Sequence, residues 1–181
     1  YMMGKDFIDR KPRYCIWLEN ADISEVRKCK NIMNRVENVK KFRLESKSSS
    51  TIKLADTPML FMRRKEYNNG YIAIPKVSSQ RRKYIPIDYL DGNVIPGDKL
   101  FVIENSTLYI FGVINSNVHM AWTRAICGRL KSDYSYSNTI VYNNFPWCNP
   151  TEEQKEKIEK TAQSILDARK LYPNCSLADL Y

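Results

Sequence analysis

Capped, charged helical stretches alternate along this chain with short, dense apolar runs closed off by turn residues. Arg13–Leu18 (Arg-Tyr-Cys-Ile-Trp-Leu) is rich enough in aromatic and branched side chains to predict a strand. Asp22 offers a helix N-cap with Glu25 three residues on as its capping-box partner, and helices are expected over about 22–29 and 31–47. In the second, Ile32, Val36, Val39 and Phe42 or Arg43 recur at helical spacing, leaving Arg35, Lys40, Lys41 and Lys47 on the flanks, and Ser48–Thr51 breaks the pattern. The apolar runs Met59–Met62, Tyr71–Ile74, Tyr84–Ile87, Leu100–Ile103 and Leu108–Ile114 then predict strands. Between them lie the turn signals Asn68–Gly70, Asp91–Gly92 and Pro96–Gly97.

Ser116 is placed to cap a helix over about 117–127 that Gly128 stops. Strands are expected at 129–136 and 139–143. Thr151 and Gln154 form a second capping box, opening a helix whose stripe of Ile158, Ala162, Ile165, Leu166 and Arg169 runs to about 171, where Tyr172–Pro173 ends it. The pattern predicts an α+β fold in which a mixed or antiparallel sheet with packed helices fills residues 1–147. A C-terminal helical segment begins at 148–181. The Tyr-Met-Met start and the abrupt end at Ser176–Tyr181 read as a piece excised from a longer protein.

Charge sharpens this picture. Residues 1–99 hold 21 of the 29 Lys and Arg against 12 of the 20 Asp and Glu, so the whole net charge of +9 lies in the first part of the chain. Such asymmetry implies a polyanionic partner. No apolar run approaches the ~20 residues that span a bilayer, so no membrane partner is expected. The start is short and polar, unlike a secretory leader. Cys15, Cys29, Cys127, Cys148 and Cys175 are odd in number and scattered, and read as reduced thiols in a cytoplasmic protein. With His119 as the single histidine, the clustered ligand set of a metal site is missing.

Catalytic motifs are equally absent. No glycine loop of either nucleotide-binding type occurs. Glu153–Lys155 has the spacing of a nuclease E-x-K but lies among alternating charges of a capped helix, where a solvated face explains it. Asn144–Trp147 has Phe145 where an amino-methyltransferase motif needs proline. His119 has no adjacent nucleophile and reads as a helix residue with a structural hydrogen bond.

Binding chemistry remains. On a continuous strand, Lys131, Asp133 and Ser135 would share one face at intervals of about 7 Å. Lys donates to guanine acceptors, Asp accepts from the cytosine amino group, and Ser does either, so the row suits base reading. An ordinary solvated strand face fits the same spacing. Two basic triplets, Arg63–Lys65 and Arg81–Lys83, stand beside Tyr67, Tyr71 and Tyr84. Their side chains Arg63, Arg64, Arg81, Arg82 and Lys83, together with Arg129, are candidate phosphate contacts. An RNA-binding module, or a basic domain that docks an acidic protein, answers to the same features.

At these same residues the chain resembles the target-recognition region of the MmeI-like (type IIL) restriction-methylation enzymes and related adenine-N6 DNA methyltransferases. The matching stretches are Arg13–Leu18, Arg35–Val36 with Val39 and Arg43, Thr57–Pro58, Ile74–Pro75, Val77–Pro86, His119–Trp122, Gly128–Ser137, Tyr142–Trp147, Leu166–Arg169 and Ser176–Tyr181. They cover nearly the whole chain in order. The resemblance implies a double-stranded DNA recognition module, working in bacterial defence, that follows a methyltransferase domain of the same polypeptide, in some enzymes with a nuclease further upstream. It implies that S-adenosylmethionine and the catalytic motif belong to that domain and that this piece binds no cofactor and catalyses nothing. It also implies that Lys131 and Asp133 read one base pair together and that Ser135 helps read a neighbouring one. Many relatives carry Arg at the position of Ser135 and Pro at that of Cys148; the first difference leaves the preference at that base pair open.

Overall fold

Tyr71–Pro75 forms a strand (β1) in which every residue is buried. Its run of Tyr-Ile-Ala-Ile-Pro shows no polar alternation because both faces meet core. Ile72 and Ile74 face a cluster with Ile85, Ile87, Phe111 and Ile114, while Tyr71 and Ala73 face Phe7, Leu100 and Leu177. β1 is the middle strand of an antiparallel sheet. On one side it pairs with β3 (Asp88–Leu90), Tyr71 opposite Leu90, and on the other with β4 (Leu100–Ile103), Ile72 opposite Ile103. A second antiparallel sheet consists of β2 (Val77–Ser78), β6 (Asp133–Ser135) and β5 (Gly128–Leu130), with β6 in the centre. The fold is α+β, as the hydrophobic pattern predicts.

The computed structural model describes residues 1–181 and divides into two compact units. One contains residues 1–13 and 66–181 and holds both sheets, with helices α1 (Gly4–Ile8), α5 (Leu108–Ile114), α6 (Asn117–Ile126), α7 (Glu152–Lys170) and α8 (Leu177–Leu180). The other, residues 14–65, is helical, with α2 (Ile23–Lys28), α3 (Lys30–Leu44), α4 (Ser49–Lys53) and a single 3-10 turn at 54–56. In the helical unit the Arg43 guanidinium donates to the carbonyls of Leu54 (2.7 Å), Thr57 (2.9 Å) and Leu60 (2.8 Å), pinning the chain that follows α4 onto α3. Arg43 therefore ends the inner stripe of Ile32 and Val36, and Phe42 points outward at 73% exposure. Trp17 stacks on Phe61 with ring centroids 5.4 Å apart.

Helices with a cap in sequence formed where expected. Asp22 accepts from the Ser24 amide, Ser116 from that of His119 and Thr151 from that of Gln154, the last in a complete capping box. Several expected strands did not form. Arg13–Leu18 has no sheet partner: residues 13–16 are exposed and only Trp17 and Leu18 are half-buried, because propensity without a ladder makes no strand. Met59–Met62 lies in a turn region held by the Leu60 amide on the Thr57 carbonyl. Tyr84–Ile87 buries Ile85 and Ile87 as an extended segment outside either sheet; Pro86 has no N–H to give a ladder. Residues 138–142 make one wide π-type turn, opened by Ser137, whose hydroxyl accepts from the Ile140 amide. Ser48–Thr51, expected to break the pattern of α3, does lie beyond its end at Leu44 but opens a further short helix, α4.

The largest change is α5. Leu108–Ile114 is apolar all round, a pattern shared by a buried strand and a buried helix. Thr107 decides between them: its hydroxyl accepts from the Ile110 amide as an N-cap. The helix then packs on α7 through Gly112, where an added Cβ would lie 2.8 Å from Ile158 Cγ2 and 3.2 Å from the Ile158 carbonyl oxygen. The C-terminal helix α7 is thus part of the same compact unit as the sheets.

Gly112→Ala should destabilise the protein by about 1–3 kcal/mol through overpacking, despite a gain in helix propensity of about 1 kcal/mol. Chemical denaturation would detect it. An unchanged or increased stability would show that α5 and α7 separate freely.

Candidate nucleic-acid interface

The base-reading candidates sit on a hairpin. The expected single strand over 129–136 is two strands, β5 and β6, joined by the two residues Lys131 and Ser132, with Leu130 opposite Asp133 and Gly128 opposite Ser135. This corrects the single-face row. Lys131 is at the turn, exposed, with φ 57°, while Asp133 and Ser135 share one half-exposed face of β6. Lys131 is carried by the loop instead of the pleat, Asp133 opens β6 beside it, and Ser135 closes β6 at the far end of the hairpin.

What holds the hairpin is the other face of β6. Tyr134 and the following Tyr136 are 5% and 3% exposed and belong to the main core cluster. The phenol of Tyr136 lies 3.1 Å from Nε2 of His119 on α6, which is 1% exposed. Burial pulls His119 down to about 4, only partly offset by a hydrogen bond with the Ile114 backbone, and burial raises the Tyr136 phenol far above its ordinary range. At neutral pH the ring is therefore neutral, and with its hydrogen bond to the Ile114 backbone made by the other nitrogen, Nε2 is left to accept from the phenol. His119 is structural, as its sequence context predicts. Phe145 packs edge-on against His119, Trp122 and Trp147, and the Trp122 indole donates to the Val141 carbonyl at 2.9 Å. The His119–Trp122 and Tyr142–Trp147 stretches are thus one aromatic support beneath the hairpin.

Asp133 carries a contact that its sequence spacing does not reveal. The backbone amide of Gln80 donates to its Oδ1 at 3.2 Å, bringing the loop after β2 against the carboxylate. That loop is a tight turn, with Arg82 N–H on the Ser79 carbonyl (3.1 Å) and Arg81 N–H on the Ser79 hydroxyl (3.3 Å). β2 supplies the register, since Val77 lies opposite Ser135 and Ser78 opposite Tyr134. The only legible signal was the Ser-Ser-Gln string just before the second basic triplet.

The basic candidates divide by their surroundings. Arg81 is exposed and its side chain makes no hydrogen bond or ion pair; Arg82 is half-buried. Lys83 is exposed with its ammonium 5.8 Å from the Tyr84 ring centre, beside a cavity of about 490 Å³ also lined by Arg169 and Tyr181. Arg129 lies flat on Tyr134, 4.0 Å from the ring centre, and donates to the Ser132 carbonyl at 3.3 Å. Cross-strand pairing with Tyr134 puts it on the face away from Asp133 and Ser135, so its guanidinium braces the turn. In the helical unit, Arg64 contacts both carboxylate oxygens of Glu19 at 3.2 Å, and Arg63 is exposed beside it in the chain. A phosphate would have to compete with these contacts at Arg129 and Arg64, and with none at Arg81.

Two outcomes follow from this geometry. Between about pH 4 and 6.5 the unfolded chain binds a proton that the folded His119 refuses, so stability should fall on acidification through that window, by up to roughly 3 kcal/mol. Thermal melts of His119→Asn should show a flatter dependence there; an unchanged slope would assign it to other groups. Lys131→Gly should leave stability unchanged or raise it by up to about 1 kcal/mol, because the left-handed backbone penalises a side chain by about 1–2 kcal/mol and glycine loses less than that in unfolded-state entropy. A clear destabilisation would show that the Lys131 side chain supports the fold.

Comparison with known proteins converges on one family. Residues 1–149 match the family model "MmeI, target recognition domain", and residues 150–181 match "MmeI, C-terminal domain". The chain is 36% identical over 176 residues to DNA methyltransferase A of Bacillus subtilis (strain 168), a stretch covering 97% of this chain and 20% of that protein. It superposes with a TM-score of 0.95 on the type IIL restriction-modification enzyme MmeI solved in complex with DNA, at 43% identity, covering 99% of this chain and 24% of the other. The chain thus spans about a fifth to a quarter of the length of these relatives. With the helices, the two antiparallel sheets and the braced hairpin all in place, the chain belongs to the MmeI target-recognition-domain family.

Proposed function

We propose that this chain is the sequence-specific double-stranded DNA recognition module of an adenine-N6 methyltransferase or fused restriction-modification enzyme, presenting the target to a methyltransferase domain upstream in the same polypeptide. The observation that carries this reading is the hairpin. Lys131 projects from the turn and Asp133 and Ser135 from the open face of β6, whose other face is anchored in the core, and neither the Lys131 nor the Ser135 side chain makes a hydrogen bond within the chain. The DNA complex of the MmeI enzyme, with which this chain shares its fold, supports it. S-adenosylmethionine would bind in the upstream domain. No helix of this chain is long and apolar enough to cross a membrane. A functional boundary near residue 147, dividing a recognition domain at 1–147 from a C-terminal region that begins at 148, is supported by the change of family model between 149 and 150.

In this reading Lys131 donates to guanine O6 or N7, Asp133 accepts from N4 of the paired cytosine, and Ser135 meets a neighbouring pair. Arg81, Arg82 and Lys83 contact phosphate beside the reading hairpin. Arg63 and Arg64 would add backbone contacts from the helical unit, and Arg129 would act mostly by bracing the turn. The basic half of the chain supplies sequence-independent attraction.

In the full-length enzyme, exchanging Lys131 and Asp133 for Glu and Arg should change the methylated motif at one base pair and leave the others intact, read by modification-sensitive sequencing of host DNA. An unaltered motif would remove the pair from base reading. Arg81→Ala should weaken binding to all sequences alike and lower the slope of log affinity against log salt by about 1. Retention of the wild-type slope would take Arg81 off the phosphate list.

A further inference from the structure

Asp133 is half-buried and its two carboxylate oxygens have different surroundings. Oδ1 accepts the Gln80 amide at 3.2 Å; Oδ2 has no protein donor. The loop that supplies the amide is itself fixed, by the β2–β6 register on one side and by the Ser79 turn on the other. A carboxylate free to rotate about its terminal torsion presents either oxygen to a base with little preference, since that torsion is broad and two-fold. A backbone donor on one oxygen restricts that freedom, because a hydrogen bond to a carboxylate is directional and stronger than a neutral one, even at the 3.2 Å seen here.

We propose that the Gln80 N–H is a positioning element for base reading: it holds Oδ1 of Asp133 so that Oδ2 alone meets the base. The specificity element is then discontinuous, made of the 128–135 hairpin and the Ser79–Arg82 turn, and the same turn carries Arg81 toward the DNA backbone. This rests on Asp133 being a base reader. Gln80 contributes through its main chain, so the identity of its side chain is secondary.

An isosteric change separates a held group from a free one. In Asp133→Asn the carboxamide oxygen keeps the Gln80 amide, so a held group must turn its NH₂ outward, changing the outward atom from acceptor to donor. The full-length enzyme would be assayed on duplexes carrying each of the four base pairs at the position read by Lys131 and Asp133. Asp133→Asn should lose its preference for cytosine at least tenfold and gain preference for a base that presents an acceptor there. Relaxation at that pair without a new preference would overturn the proposal, because a free carboxamide rotates to serve either kind of base.

Two further variants test the donor itself. Gln80→Ala keeps the N–H and should retain wild-type discrimination within about twofold. Gln80→Pro removes it and should lower discrimination at that one pair about tenfold, with the other positions of the motif unchanged. Loss in Gln80→Ala equal to that in Gln80→Pro would overturn the proposal, as would a folded Gln80→Pro that discriminates normally. Should Gln80→Pro fail to fold, Asp133→Asn decides alone. The Lys131/Asp133 exchange run in parallel distinguishes the two levels: if it leaves the motif unaltered, base reading by Asp133 fails. If it changes the motif while Asp133→Asn merely relaxes it, only the role of Gln80 fails.

Discussion

Everything at the candidate interface depends on the two-residue alternation of a short strand. Tyr134 and Tyr136 are locked in the core, so Asp133 and Ser135 must face the other way. A slip of one residue would bury a carboxylate and expose two phenols, so the register is defended by the whole aromatic cluster around His119, Phe145 and Trp122. β6 is only three residues long, too short to hold itself. Pairing with β5 on one side and β2 on the other, and the anchoring of its tyrosines, make it a rigid platform. Lys131, at the turn, enjoys no such pleat. Its position comes from a left-handed backbone and from Arg129 bracing Ser132 against Tyr134. A positive φ at the first residue of a two-residue hairpin turn is what the twist of the flanking strands requires.

A second constraint ties the C-terminal helices to the first sheet. Arg169 on α7 is 8% exposed, with Nη1 2.8 Å from Asp88 of β3, Nη2 on the Ile87 carbonyl at 3.0 Å and on the Tyr181 hydroxyl, and its guanidinium near the Phe111 ring. Asp88 also accepts from Arg10. One buried cation thus links α7, α8, α5 and the edge of the sheet. Burying a guanidinium is unfavourable unless it is paired and hydrogen-bonded; here Nη2 is hydrogen-bonded and Nη1 is ion-paired with Asp88, while Nε and Nη1 find no hydrogen-bond acceptor. That pairing gives the α7 stripe, whose last member is Arg169, a polar anchor at the end of an apolar seam. It explains why the stripe could be read as helical periodicity and yet finish on a charge.

The legibility of this fold followed the range of the interactions. Helix starts were readable because a cap is a contact over two or three residues: Asp22, Ser116 and Thr151 all cap, although the expected box partner of Asp22, Glu25, pairs with Lys28 instead. The strand at Tyr71–Ile74 was readable because a run with no polar residue needs a core on both faces. Leu108–Ile114 was not, because an apolar run carries no period, and the decisive hydroxyl of Thr107 lies just outside it. Arg13–Leu18 and Tyr84–Ile87 look like strands by composition, but a strand exists only if a partner presents its ladder. On the candidate site, residue types and basic triplets were legible. The hairpin turn at Lys131 was hidden because no Gly or Asn marks it, and the bond from Gln80 to Asp133 crosses 53 positions.

Sequence alone determined the α+β class, the positions of the capped helices, the basic half of the chain, the structural role of His119 and the chemistry available at Lys131, Asp133 and Ser135. All of these rest on composition or on contacts within a turn or two. Tertiary structure alone decided that Lys131 leaves the strand, that Arg129 and Arg64 are held by Tyr134 and Glu19, and that one oxygen of Asp133 meets the Gln80 amide. The physical reason is the same in each case. Which hydrogen-bonding groups of a polar side chain remain free is set by groups distant in sequence, and only packing brings those groups within 3 Å or so of one another.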